Sequence, residues 1–144
     1  MTTITVSDIG LGPDATFSFV QFGEACSQGD VMYKDIADDD KWKVADNSTV
    51  IKAGRDGIGV ALHTILQADF YGIIVTQGTM YIDGGIAEAS VYVLGDATGD
   101  IVTDGDAQIG SGDFKTILGV GGDLGTAVSD LFTLAPNVTG HQIP

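Results

Sequence analysis

Glycine is the feature that most constrains this chain: 21 of its 144 residues are Gly, spread along the whole sequence instead of being gathered into a linker. Glycines at such intervals mark turns, and the segments between them are short and rich in Val, Ile, Thr, Tyr and Phe, the residues that fit a pleated, half-buried surface. Strands are expected at Phe17 to Phe22, Asp30 to Asp35, Lys41 to Ala45, Gly57 to His63, Gly72 to Thr76, Thr79 to Asp83, Ser90 to Leu94, Asp100 to Thr103, Thr116 to Val120 and Leu131 to Leu134. Clean alternation of apolar and polar residues is rare in them. Some strands must therefore be buried on both faces or at an oligomer contact. Helical spacing is confined to Thr64 to Tyr71 and Thr126 to Phe132, neither of convincing length.

The expected fold is all-β: a single small β-barrel or β-tulip-like domain with at most one or two short helices. Its organisation reads as an extended N-terminal arm over 1–16, a β-rich domain over 17–135 and a poorly anchored tail over 136–144, the two ends being interrupted by Gly10, Gly12, Pro13 and Pro136. One core is expected, since a chain of this size buries roughly 68–70% of the surface its unfolded form exposes. An internal similarity appears at an offset of 60, where Val31 falls on Val91, Gly59-Val60 on Gly119-Val120, Ile58 on Leu118, and Asp38-Asp39-Asp40 on Thr98-Gly99-Asp100. Two copies are too few for a solenoid and suit a pseudo-symmetric barrel or two-lobed domain.

Charge narrows the partners. Twenty acids against six bases give a net charge of −14, and beyond Asp56 the only base is Lys115. Nucleic-acid binding rests on Lys and Arg displacing counterions from phosphates, so neither nucleic acid nor an anionic membrane is an expected partner. Mutual repulsion does suit a protein that must stay soluble at high copy number. The first ten residues hold no Lys, Arg or continuous apolar stretch of a secretory signal, so synthesis in a cytoplasm is the default expectation.

Candidate chemistry is sparse. Cys26 has no second cysteine for a disulfide or a thiolate zinc site. Of the two histidines, His63 closes an apolar segment and His141 lies in the expected tail, and no Gly-x-Ser-x-Gly elbow is present. Carboxylates abound, but a glycosidase cleft needs aromatic platforms, and the single Trp42 between Lys41 and Lys43 reads instead as the cover of a strand edge or an oligomer contact. The chain is not expected to be an enzyme, and no cofactor is expected. The sharpest metal hypothesis is Asp96, Asp100, Asp104 and Asp106, whose spacing is that of oxygen ligands in a calcium loop. The stricter EF-hand pattern fails, because the twelfth position is Ala107 and not Glu. Solvated turn acids are the simpler reading.

Three stretches carry a resemblance: Gly23-Glu24-Ala25-Cys26-Ser27-Gln28-Gly29-Asp30-Val31-Met32-Tyr33, then Gly57-Ile58-Gly59-Val60-Ala61-Leu62, then Asp69-Phe70-Tyr71-Gly72-Ile73-Ile74-Val75-Thr76-Gln77-Gly78. In order and cadence the chain resembles the head decoration, or cement, proteins of tailed bacteriophages, including the lambda-type, from about Gly23 to Val120. The resemblance implies a virion protein on the capsid surface, with the major capsid protein as partner, self-association as a homotrimer and stabilisation of the head after DNA packaging. It also implies a docking role for the apolar Ile4, Val6 and Ile9, which could add a strand to a capsid sheet. The acidic region after Gly121 has no counterpart in the resemblance.

Overall fold

A computed structural model of the chain describes residues 4, 6, 8–87, 89–96, 99–105, 109–122 and 131–144. Among these residues the protein is all-β. Its strands are β1 (Asp8–Leu11), β2 (Thr16–Gln21), β3 (Val31–Asp35), β4 (Lys41–Val44), β5 (Ile58–Ala61), β6 (Tyr71–Asp83), β7 (Val91–Leu94), β8 (Ile101–Thr103), β9 (Phe114–Gly121) and β10 (Leu131–Gln142). One 3-10 turn, Ile36–Asp38, links β3 to β4, and the Asp35 carboxylate caps it by accepting from the Ala37 amide. No helix forms over Thr64 to Tyr71, which turns and bends into β6; residues 126–130 of the other helical candidate lie outside the described set.

The sheet runs β4-β3-β5-β6-β10-β9-β7-β8, with β1 and β2 both on β6. Residues 72–76 and 79–83, expected as two strands, belong to the single 13-residue β6. Gly78 makes this possible: its φ of +100° bends the strand, and a side chain there would collide with the backbone of Asp14 and Ala15. The first part of β6 pairs with β2 and β5, the second with β1 and β10.

β6 thereby divides the sheet into two units built alike. The first unit has the order β4-β3-β5-β6-β2, the second β8-β7-β9-β10-β6. Their registers differ by the same 60 positions. Val20 faces Gly72 as Met80 faces Phe132, and Phe19 faces Ile73 as Thr79 faces Thr133. Likewise Val31 faces Val60 as Val91 faces Val120, and Met32 faces Gly59 as Tyr92 faces Gly119. Turn bonds follow suit: the Gly29 amide donates to Ala61 O (2.8 Å) and the Ala89 amide to Gly121 O (3.0 Å), both donors having positive φ. Trp42 O accepts from the Gly23 amide at 2.7 Å, so the first unit curls until β4 meets the end of β2.

Two cores result. The first unit encloses Phe22, Cys26, Met32, Trp42, Ala61, Ile65 and Ile74. The alternate residues of the same strands, Val31, Tyr33, Val60 and Val75, join Met80, Ile82, Tyr92, Leu94, Leu118, Phe132 and Leu134 of the second unit in the larger core. Over β3, β5 and the middle of β6 the first unit's sheet is thus buried on both faces, which is why these strands do not alternate apolar with polar.

Both ends differ from their expected arm and tail. Residues 8–11 form β1, paired with Ile82 and its neighbours, and the Ile4 amide donates to Ile101 O at 2.9 Å. At the other end, residues 136–142 continue β10 against β9. Pro136 sits at a register shift between Leu134 and Asn137, where its missing amide leaves no ladder bond unmade.

Candidate functional site

The surface that sets this protein apart lies on β2 and the first part of β6. Phe17, Phe19 and Tyr71 point outward and are exposed, Phe19 by 71%. The Phe19 and Tyr71 rings lie 5.8 Å apart, and Phe70 and the 82%-exposed Leu66 stand in the segment that leads into β6. Such aromatic area in water is unfavourable at about 25 cal/mol per Å². The surface is also uncharged. Residues 15–23 and 70–82 hold no Asp, Glu, Lys or Arg in a chain where 26 of 144 residues are charged.

β2 is an edge as well as a face. Phe22 exchanges bonds on the β6 side, its amide donating to Phe70 O and its carbonyl accepting from the Asp69 amide, both at 2.8 Å. Backbone groups alternate sides along a strand, and no register shift falls between Phe17 and Gln21. Val20 and Ser18 therefore also face β6, and the N–H and C=O groups of Phe17 and Phe19 face away from it. Along Phe17 to Phe19, β6 is the one strand neighbour among the described residues; β4 meets the far end of this edge, at Phe22 and Gly23.

Basic side chains cluster beyond the end of the edge. Lys43 Nζ lies 2.9 Å from both the Asp35 and Asp38 carboxylates, and Lys41 Nζ lies 2.9 Å from Asp69. The hydrogen bonds from Lys43 raise its pKa, and the same bond holds Asp35 below the usual carboxylate range. These pairs, half-buried at Lys43 and Asp35 and more open at Asp38 and Asp69, balance the local charge.

The residues expected to carry function are distributed differently. Ile4 is buried in the larger core, against which Val6 and Ile9 also pack, and Ile9 is paired with Ile82. Their apolar surface is satisfied within the chain, so in this conformation they are not free to join a capsid sheet. Trp42 is buried in the smaller core and does not reach the surface as an oligomer contact. Asp104 accepts from Lys115 Nζ at 3.0 Å, Asp96 is exposed, Asp100 lies near Asp30, and Asp106 falls outside the described residues. Among the described residues no three His, Cys, Asp or Glu side chains gather in a metal-binding group.

Cys26 Sγ lies 3.8 Å from the His63 carbonyl oxygen, and burial pushes the thiol pKa up to about 11. A thiol so protonated is a poor nucleophile. The exposed aromatic edge escaped the sequence reading because Phe17 to Phe22 looks like any strand in which both faces are apolar. Its signal is the long uncharged run in an acidic chain. Comparison of the chain with protein-family models, with curated proteins and with solved structures found no match.

Proposed function

We propose that this chain is a non-enzymatic structural protein that binds the outer surface of a tailed-phage head and stabilises it through contacts with other proteins. The observation that carries this reading is the uncharged aromatic surface around Phe19. An exposed apolar patch amid charged surroundings is characteristic of a protein contact. Acidity supports it: a net charge of −14 keeps a high-copy protein dispersed and away from the packaged nucleic acid. The stretches that carry the resemblance to decoration proteins include β3, β5 and β6, which adjoin in the sheet and so describe one piece of it.

The test is to identify the source genome's major capsid protein, which this reading expects to be encoded beside this chain, and to measure co-sedimentation with heads assembled from it. Binding at a fixed stoichiometry is expected, together with heads that rupture at a higher temperature. A chain that stays in the supernatant, or heads that rupture at an unchanged temperature, would overturn the assignment.

A further inference from the structure

We infer that the free edge of β2 is a self-association site, at which two copies of this chain pair their β2 strands antiparallel across a two-fold axis. The inference rests on the reading of this protein as one that acts through protein contacts, and it names the occupant of the aromatic surface.

The edge offers what such pairing needs. The outward N–H and C=O groups of Phe17 and Phe19 make four main-chain hydrogen bonds when Phe17 faces Phe19 of the second copy and Phe19 faces its Phe17. Side chains of both residues stand on one face. The pairing therefore gathers four phenyl rings beside two Tyr71 rings, and aromatic cross-strand pairs are favoured contacts.

Charge points to a second copy as the occupant. Two bodies of net charge −14 repel wherever acidic surfaces meet, and residues 15–23 with 70–82 form an uncharged strip where they can approach. Edge strands that must remain unpaired are normally protected by Lys, Pro or an inward-pointing charge. Thr16–Gln21 has none of these.

The second unit supplies two further arguments. Its counterpart of β2 is the C-terminal part of β6, and there the corresponding edge is covered by β1 of this same chain, antiparallel. Moreover, the positions matching Phe17 and Phe19 are Gln77 and Thr79, so the architecture forms without phenyl rings there. The phenyl groups are a feature of the surface and not a demand of the fold. A two-fold pair departs from the three-fold association that the family resemblance implies, so mass alone separates them.

The experiment is sedimentation equilibrium of the full chain at low and high salt, beside the double variant Phe17→Gln/Phe19→Thr, with amide hydrogen exchange on both. The wild type is expected at twice its 14.9 kDa mass. Its dimer fraction should rise with salt, because screening weakens the repulsion between copies. The Phe17 and Phe19 amides should be protected in the dimer and exchange freely in the variant, which remains monomeric with wild-type thermal stability. A wild type that stays monomeric at high salt, forms a trimer untouched by the double variant, or leaves both amides unprotected overturns the pairing. If a monomeric wild type binds heads and the variant does not, the edge meets the capsid: self-pairing fails while the decoration reading stands. If the wild type pairs but binds no head, self-pairing stands and the decoration reading fails.

Discussion

Replacing Gly119 by alanine adds one methyl group at a crowded point of the sheet. Gly119 faces Leu134 on β10 and Tyr92 on β7, so strands bound it on both sides. Its Cβ would overlap the Thr133 carbonyl oxygen and lie 3.0 Å from the Thr133 carbonyl carbon and 3.1 Å from Phe132 Cζ. Phe132 is fully buried, and the Thr133 carbonyl belongs to the paired backbone of β10, so neither can yield without disturbing the β9–β10 ladder. Overpacking of this kind costs roughly 1–3 kcal/mol. At about 3 °C per kcal/mol for a domain of this size, Tm should fall by roughly 3–10 °C.

Gly10→Ala is the matched control. Gly10 also lies in a strand, without a positive φ, but nothing lies within 4 Å of its Cβ position. Alanine there restricts the unfolded chain and should leave stability unchanged or raise it by up to about 1 kcal/mol. Urea and thermal unfolding followed by the fluorescence of buried Trp42 measure both variants. An unchanged midpoint for Gly119→Ala, or an equal loss for Gly10→Ala, would refute the argument from crowding.

Asp30 provides a test in pH. Burial, reinforced by the nearby Asp100 charge, raises its pKa above the ordinary 3.8 despite the opposing bond from the Ser27 amide. The folded state therefore holds this proton more tightly than the unfolded one. The penalty of charging Asp30 is absent below the unfolded pKa, grows as pH rises from there to the folded value, and is fully present above it. Asp30→Asn, which keeps an acceptor for Ser27, should be more stable than wild type near neutrality and equal to it at about pH 3; equal urea midpoints near neutrality would contradict this. Cys26, protonated and buried, should react with a thiol reagent far more slowly in the native protein than in urea. Equal rates would mean that its pocket opens freely.

Much of the fold was legible because strand-forming runs and glycine turns alternate so regularly. Each expected strand falls within or overlaps an observed one, with residues 72–76 and 79–83 fused at Gly78. The misreadings share a cause. Gly12 and Pro13 do break the chain, at the turn between β1 and β2, but Gly10 and Pro136 argue locally against strands and yet occupy places the ladder tolerates. Pro136 falls at a register shift, and Gly12 comes so close to Thr79 that a side chain there would overlap its carbonyl. Those allowances are set by the partner strand, which the local sequence does not contain. The same holds for function. Ile4, Val6 and Ile9 have the composition of a docking strand, but the second unit uses them as its own cover. Trp42 stands between two lysines in sequence, and alternation along β4 sends its ring inward while the lysines reach Asp35, Asp38 and Asp69 outside.

The sharing of β6 bears on how the chain is made. During synthesis the first unit has all its strands once residue 77 has left the ribosome. At that moment the outward side chains of Val31, Tyr33, Val60 and Val75 lack most of their cover, because Met80, Ile82, Tyr92, Leu94, Leu118, Phe132 and Leu134 are encoded downstream. A nascent chain must therefore hold an apolar sheet open to water until the following 50 or so residues emerge, at about 5–20 residues per second. For those seconds it is a natural client for a chaperone, and a message truncated after β6 would yield an aggregating fragment instead of a smaller stable domain.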